Sequence, residues 1–128
     1  MPDTDRPTVA VLADDLIWSS RLVAAIERAE ATALRASTPV DLQRHLDAGA
    51  RAAVIDLGGR RYDGIAAVEA AAASGLPTIA VGQHEDVGLR QRALAAGAQR
   101  VYSYNKLFRD GPAVIAGLLA RNAPAEVG

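Results

Sequence analysis

Cysteine is absent from the 128 residues, lysine occurs once, as Lys106 among thirteen arginines, and aromatic residues number five. Without thiols there is no disulfide framework, no thiolate nucleophile and no thiolate metal site, which fits a reducing, cytoplasmic setting. A surplus of positive charge is missing too, because fourteen basic residues face fifteen acidic ones. That balance argues against direct nucleic-acid binding, which draws on many cationic contacts to phosphates. Nor is there a long apolar run. The longest uncharged stretch, Ala70 to His84, is interrupted by Gly75 and Pro77 and falls short of the roughly 18 residues a membrane span needs. The opening Met-Pro-Asp-Thr-Asp-Arg-Pro is polar and acidic, with no cationic start leading into an apolar segment. No secretory signal and no membrane association are expected.

What is present is alanine, 28 of the 64 hydrophobic residues, with 30 Val, Ile and Leu beside it. This composition suggests helices with small side chains packed closely onto a sheet. The length suits one domain: residues 8–122, with 1–7 as an N-terminal tail and 123–128 as a C-terminal tail or linker stub. Short β-branched runs alternate with longer Ala-rich segments, the pattern of a parallel α/β sheet. Strands are predicted over Thr8 to Ala13, Thr32 to Ala36, Ala52 to Asp56, Thr78 to Val81 and Arg100 to Tyr104. The third and fourth are nearly all apolar, as strands buried on both faces should be, and the second, with Arg35 in it, reads as an edge.

Helices fill the gaps. Leu22, Ala25, Ile26 and Ala29 recur at helical spacing in the first. Thr38 is a plausible N-cap for the second, with Pro39 at its first position and Val40, Leu42 and Leu46 on its buried side. Gly49, Gly75 and Gly97 each follow a helical pattern and precede a strand, where a left-handed residue turns the chain back. A last helix is predicted from Asp110 or Pro112 through Val114, Ile115, Leu118 and Leu119. The expectation is a doubly wound, flavodoxin-like α/β domain of five parallel strands and five helices, with the ends of the first and third strands neighbours if the order is 2-1-3-4-5.

In such a sheet, ligands gather at the carboxyl ends of the strands where strand order reverses. The first strand runs into Asp14-Asp15 and the third ends in Asp56, so three carboxylates come to neighbouring strand ends. Like charges held together raise one another's pKa, and a hard divalent cation such as Mg²⁺ is a common counter-charge. A metal held by part of its shell keeps positions open for a phosphoryl oxygen. The structural alternative is that Asp14 and Asp15 cap the first helix and Asp56 caps the turn after its strand.

These residues resemble the receiver domain of bacterial response regulators over essentially the whole chain. The features that carry the likeness are the strand into Asp14-Asp15 followed by Ser19, Ser20, Arg21 and Leu22; Val54-Ile55-Asp56; Asp63-Gly64; Leu76-Pro77 opening the fourth strand; and Gly97-Ala98 before the fifth. The resemblance implies that Asp56 is the phosphoacceptor nucleophile, with Mg²⁺ held by Asp14, Asp15, Asp56 and the carbonyl of Gly58. The phosphoryl group would come from the phospho-His of a histidine kinase. Partners implied are that kinase or another signalling protein, with a homodimer through the last two helices and the fifth strand as a further expectation.

The departures fall on the switching parts. The Ser or Thr usual after the fourth strand is Gly82, which has no side-chain donor. The family Lys at the end of the fifth strand aligns without gaps to Tyr104 and the Pro after it to Asn105. A shift of two residues instead makes Lys106-Leu107-Phe108 the counterpart, with Lys106 as a candidate phosphate contact. Both alignments stand on sequence alone. The segment Leu57-Gly58-Gly59-Arg60-Arg61-Tyr62 lacks the usual Met-Pro and is glycine-rich and basic. Trp18 reads as a half-buried packing residue, His45 as solvent-facing and His84 as a solvated loop residue. Arg60-Arg61 reads as solvated charge.

Two functions compete: a phosphorelay receiver modified at Asp56, and a phosphorylation-independent pseudo-receiver acting as a protein interaction module. An enzyme or flavin carrier on the same fold is disfavoured. Its phosphate loop should be rich in Gly, Ser or Thr, where this chain has Asp-Asp-Leu-Ile-Trp.

Overall fold

The computed structural model describes residues 6–83 and 85–121. The tails expected at 1–7 and 123–128 lie outside these residues except for positions 6 and 7, and His84 lies outside them too. Five strands and five helices alternate: β1 (Thr8–Leu12), α1 (Leu16–Arg28), β2 (Thr32–Ala36), α2 (Pro39–Asp47), β3 (Ala52–Asp56), α3 (Gly64–Ala73), β4 (Thr78–Gly82), α4 (Val87–Ala96), β5 (Arg100–Ser103) and α5 (Tyr104–Arg121). All pairings are parallel and the order is β2-β1-β3-β4-β5.

Strand alternation sorts the core into two layers. Val9, Val11, Val54, Ile79 and Val81 lie beneath α1 and α5, packed with Leu22, Ile26, Leu107, Ile115 and Leu118. Their neighbours Ala10, Leu12, Ala53, Ile55 and Ala80 face α2, α3 and α4, meeting Leu42, Leu46, Val68, Ala67, Ala71 and Ala93. Alanine thus meets alanine on the second face, and those helices approach the sheet closely. On the first face α1 and α5 also touch closely, since a Cβ added to Gly111 would lie 2.7 Å from that of Ala25.

Helix ends follow their local chemistry. Thr38 Oγ1 accepts from the Asp41 amide and caps α2, with Pro39 in its first turn. Gly49, Gly75 and Gly97 adopt φ of 99°, 82° and 120°, the left-handed turn expected of them. At the end of α1 the same conformation falls to a non-glycine residue, Glu30, at φ 63°.

Four expectations need correction. Val40 is 70% exposed rather than buried, because Leu42 and Leu46 alone supply the core face of α2. His45 does not face solvent freely: it is half-buried, with Nε2 2.8 Å from the Arg35 carbonyl on the edge strand β2. β5 stops at Ser103 rather than Tyr104. Finally, the helix expected from Asp110 or Pro112 is preceded, across a kink, by a further helical stretch from Tyr104, because Ser103 Oγ accepts from the Lys106 amide and Leu107 plugs into the core. Asp110 (φ −118°, ψ 19°) marks a kink just ahead of Pro112, where the missing proline N–H interrupts the helical ladder.

Candidate functional site

The chain leaves β1 toward β2 and leaves β3 toward β4, so a crevice opens between the carboxyl ends of β1 and β3. Asp14 and Asp15 follow β1 and Asp56 ends β3. All three line one cavity of about 590 Å³, with Trp18, Gly58, Arg60, Arg61, Gln83 and Tyr104 around it.

Each carboxylate already has hydrogen-bond donors. Asp15 is the N-cap of α1, its Oδ1 accepting from the Trp18 amide at 3.0 Å. Asp14 Oδ2 accepts from the amides of Arg60 and Arg61, both at 2.8 Å, and so pins the β3–α3 loop to the end of β1. Asp56, only 2% exposed, accepts through Oδ1 from the Gly58 amide at 2.9 Å and from the Tyr104 hydroxyl at 2.5 Å. Burial pushes the Asp56 carboxyl above its ordinary value. The two hydrogen bonds work against that rise, and the charges of Asp14 and Asp15 add to it. Burial, followed by the bond to Asp56, also raises the Tyr104 phenol, so it stays a protonated donor through the neutral range.

Two glycines and two tyrosines shape this loop. A Cβ at Gly58 would lie 2.6 Å from the Tyr104 hydroxyl oxygen, and one at Gly59 would lie 2.1 Å from the Tyr62 ring. Tyr62 fits over Gly59 and donates to the Asp56 carbonyl at 2.6 Å, fixing the end of β3. At Gly82 an added Cβ would only touch Leu57 at 3.4 Å, and its backbone is not left-handed. Room for a Cβ is therefore present at Gly82, which carries no hydroxyl.

Tyr104 is held from its other side as well. Its ring stacks on Trp18 with centroids 4.6 Å apart, Trp18 stacks on Phe108 at 4.7 Å, and the Arg21 guanidinium lies over Trp18 and Phe108. Trp18 is half-buried, as expected.

Lys106 is not brought to this cavity. Its Nζ pairs with Asp110 Oδ2 at 2.8 Å, one turn along α5, and its side of the helix borders a groove beside Arg90 and Arg100. The ungapped alignment is the one the geometry follows, with Tyr104 as the residue that reaches Asp56. Among the described residues no three acidic or imidazole groups converge as a metal site, and each of the three carboxylates has one oxygen committed to amide or phenol donors. The groups that would hold Mg²⁺ are the second oxygens of Asp14, Asp15 and Asp56 together with the Gly58 carbonyl, residues that all line this cavity.

Sequence reading missed the roles of Tyr62 and Tyr104. Their signals were faint: the Gly58-Gly59 pair ahead of Tyr62 makes space for a ring, and Tyr104 stands where the resemblance calls for a cation.

No family model matches the sequence, and no curated protein matches it. Solved structures do match the fold. A response regulator receiver domain protein from Methanospirillum hungatei is 17% identical with a TM-score of 0.80, covering 92% of this chain and 97% of its own. The signal receiver domain of a DNA-binding response regulator from Colwellia psychrerythraea is 19% identical with a TM-score of 0.76, covering 89% of this chain and 98% of its own. A response regulator receiver domain protein from Clostridium thermocellum is 15% identical with a TM-score of 0.76, covering 90% of this chain and 95% of its own. The chain has the fold of response regulator receiver domains.

Proposed function

We propose that this protein is a receiver-fold signalling module that acts through contacts with other proteins and does not depend on an aspartyl phosphate. The observation that carries this reading is the Tyr104 hydroxyl on Asp56 Oδ1. Attack on phosphorus needs a carboxylate oxygen free to form the new bond, a counter-charge for the transferred group and donors for its equatorial oxygens. Here Asp56 Oδ1 carries two donors, which leaves Oδ2 alone for a new bond, and the side chain beside the carboxylate is a neutral phenol rather than a cation. Releasing the phenol from a charged partner costs about 1.5–3 kcal/mol. Lys106 is paired with Asp110 instead, and Gly82 offers no hydroxyl.

The phosphorelay reading, with Asp56 as phosphoacceptor for a histidine kinase and Mg²⁺ on Asp14, Asp15 and Gly58, requires Tyr104 to swing away first. Trp18 reports on that swing because the two rings stack. Trp18 fluorescence should stay unchanged when the protein is given millimolar Mg²⁺ and a small acyl phosphate. A saturable change in emission that Asp56→Asn abolishes overturns the proposal.

A further inference from the structure

A small cavity lies between α1 and α5 and shares no lining residue with the Asp56 cavity. It encloses about 180 Å³ between Arg21, Ala24, Ala25 and Arg28 of α1 and Phe108 and Pro112 of α5. Ala24 and Ala25 are short, and Pro112, at the kink of α5, has no N–H to present to the space. With the half-buried Phe108 ring they give the cavity an apolar lining. Arg21 and Arg28 flank it, seven residues and so about 10 Å apart along the helix axis. Both are exposed, and among the described residues neither guanidinium makes an ion pair or a hydrogen bond. Arg21 lies 5.5 and 5.2 Å from the ring centroids of Trp18 and Phe108, so the rings set its position while its N–H groups keep no acceptor. No acidic side chain lines the cavity.

We propose that this cavity binds a small aromatic carboxylate, its ring against Phe108, Ala24 and Pro112 and its carboxylate on the forked donors of Arg21 and Arg28. Size limits the occupant: the space is slightly larger than a cavity of about 150 Å³ that takes up benzene. It is well below the roughly 300 Å³ at which drug-sized ligands such as nucleotides begin to fit. Charge limits it further, because two cations with unused donors reject a cation and favour an anion, while the apolar lining calls for an apolar body. Phe108 stacks on Trp18, which stacks on Tyr104, so occupancy is read in Trp18 emission. The site gives the protein a small-molecule input that does not pass through Asp56, and it stands whether or not Asp56 takes up a phosphoryl group.

The test titrates the full chain with sodium benzoate, followed by Trp18 emission and by backbone amide NMR. Benzoate should saturate one site at a Kd in the millimolar range or tighter, with amide shifts at Ala24, Ala25 and Phe108. Benzamide keeps the ring without the charge, and inorganic phosphate keeps the charge without the ring; each should bind at least about tenfold more weakly. Arg28→Gln should weaken benzoate by about tenfold, whereas Arg92→Gln, a like change on α4, should stay within about twofold. Ala24→Leu keeps both arginines and fills the cavity, so it should abolish binding without lowering the melting temperature. A peptide ending in phenylalanine offers the same ring and carboxylate from a protein source and should bind no more tightly than benzoate. Absence of saturable benzoate binding, equal binding of benzamide or phosphate, binding retained in Ala24→Leu, tighter binding of the peptide, or amide shifts confined to the Asp56 cavity each overturn the inference. Affinity in Asp56→Asn should match the parent within about twofold, which keeps this test separate from that of the phosphorylation-independent function.

Discussion

The Tyr104 hydroxyl donates to Asp56 Oδ1 at 2.5 Å while the Tyr104 ring stacks on Trp18 at 4.6 Å. A residue at the first position of α5 is thereby tied to the end of β3 and to the first turn of α1. One oxygen of the carboxylate at the switch point of the sheet is satisfied by the protein itself.

Tyr104→Phe removes the donor and keeps the ring. Stability at neutral pH should fall by about 1.5–3 kcal/mol, as for a lost hydrogen bond to a buried charged group, with Trp18 emission nearly unchanged. The difference should narrow in acid, where Asp56 is protonated and the bond is between neutral groups. Urea unfolding at neutral and acid pH measures both effects.

Asp56→Asn keeps an acceptor for Tyr104 and Gly58 and removes a buried charge. Burial raises the Asp56 pKa in the folded state above its ordinary 3.8, so the folded state takes up the proton more readily than the unfolded one. That contribution to stability is complete below 3.8 and is lost as pH rises through the raised folded value. The asparagine variant should therefore melt higher than the parent at neutral pH, and the gain should vanish in strong acid. Thermal melting of both proteins across pH checks this, and a lower neutral melting temperature for the variant would contradict it.

Gly58→Ala places a Cβ 2.6 Å from the Tyr104 oxygen and pushes the phenol off Asp56. The loss in stability should match that of Tyr104→Phe within about 1 kcal/mol, and the double variant should lose far less than the sum, because both changes break one bond. Trp18 emission should change in Gly58→Ala and not in Tyr104→Phe, since only the former moves the stacked ring.

Glu30→Gly relieves a left-handed backbone at φ 63°, which costs a residue with a Cβ about 1 kcal/mol. Part of that gain is offset by the freer unfolded chain, so the melting temperature should rise modestly. Chemical denaturation of the purified variant gives the sign.

Much of the fold was legible because its punctuation is local. Glycines that must adopt positive φ stand at three helix-to-strand junctions, and the Thr38-Pro39 start of α2 is written in two adjacent residues. The start of α5 was not legible: Tyr104, Asn105 and Lys106 carry no apolar period, and the helix begins there because Ser103 caps it and Leu107 finds the core. Val40 looked buried by spacing and is not, since two leucines fill the available surface. At the site, the three aspartates were visible as strand-end residues. Their partners were not, because the Tyr104 and Arg60 contacts join residues more than forty positions apart. The place of Lys106 had a local sign in the four-residue spacing to Asp110, its ion-pair partner.

Asp56, held by Tyr104, is expected not to take up a phosphoryl group. Intact-protein mass spectrometry after incubation with a small acyl phosphate and Mg²⁺ tests this most directly. The expected result is an unchanged mass for the wild-type chain. A mass increase of one phosphoryl group that is absent in Asp56→Asn would contradict it.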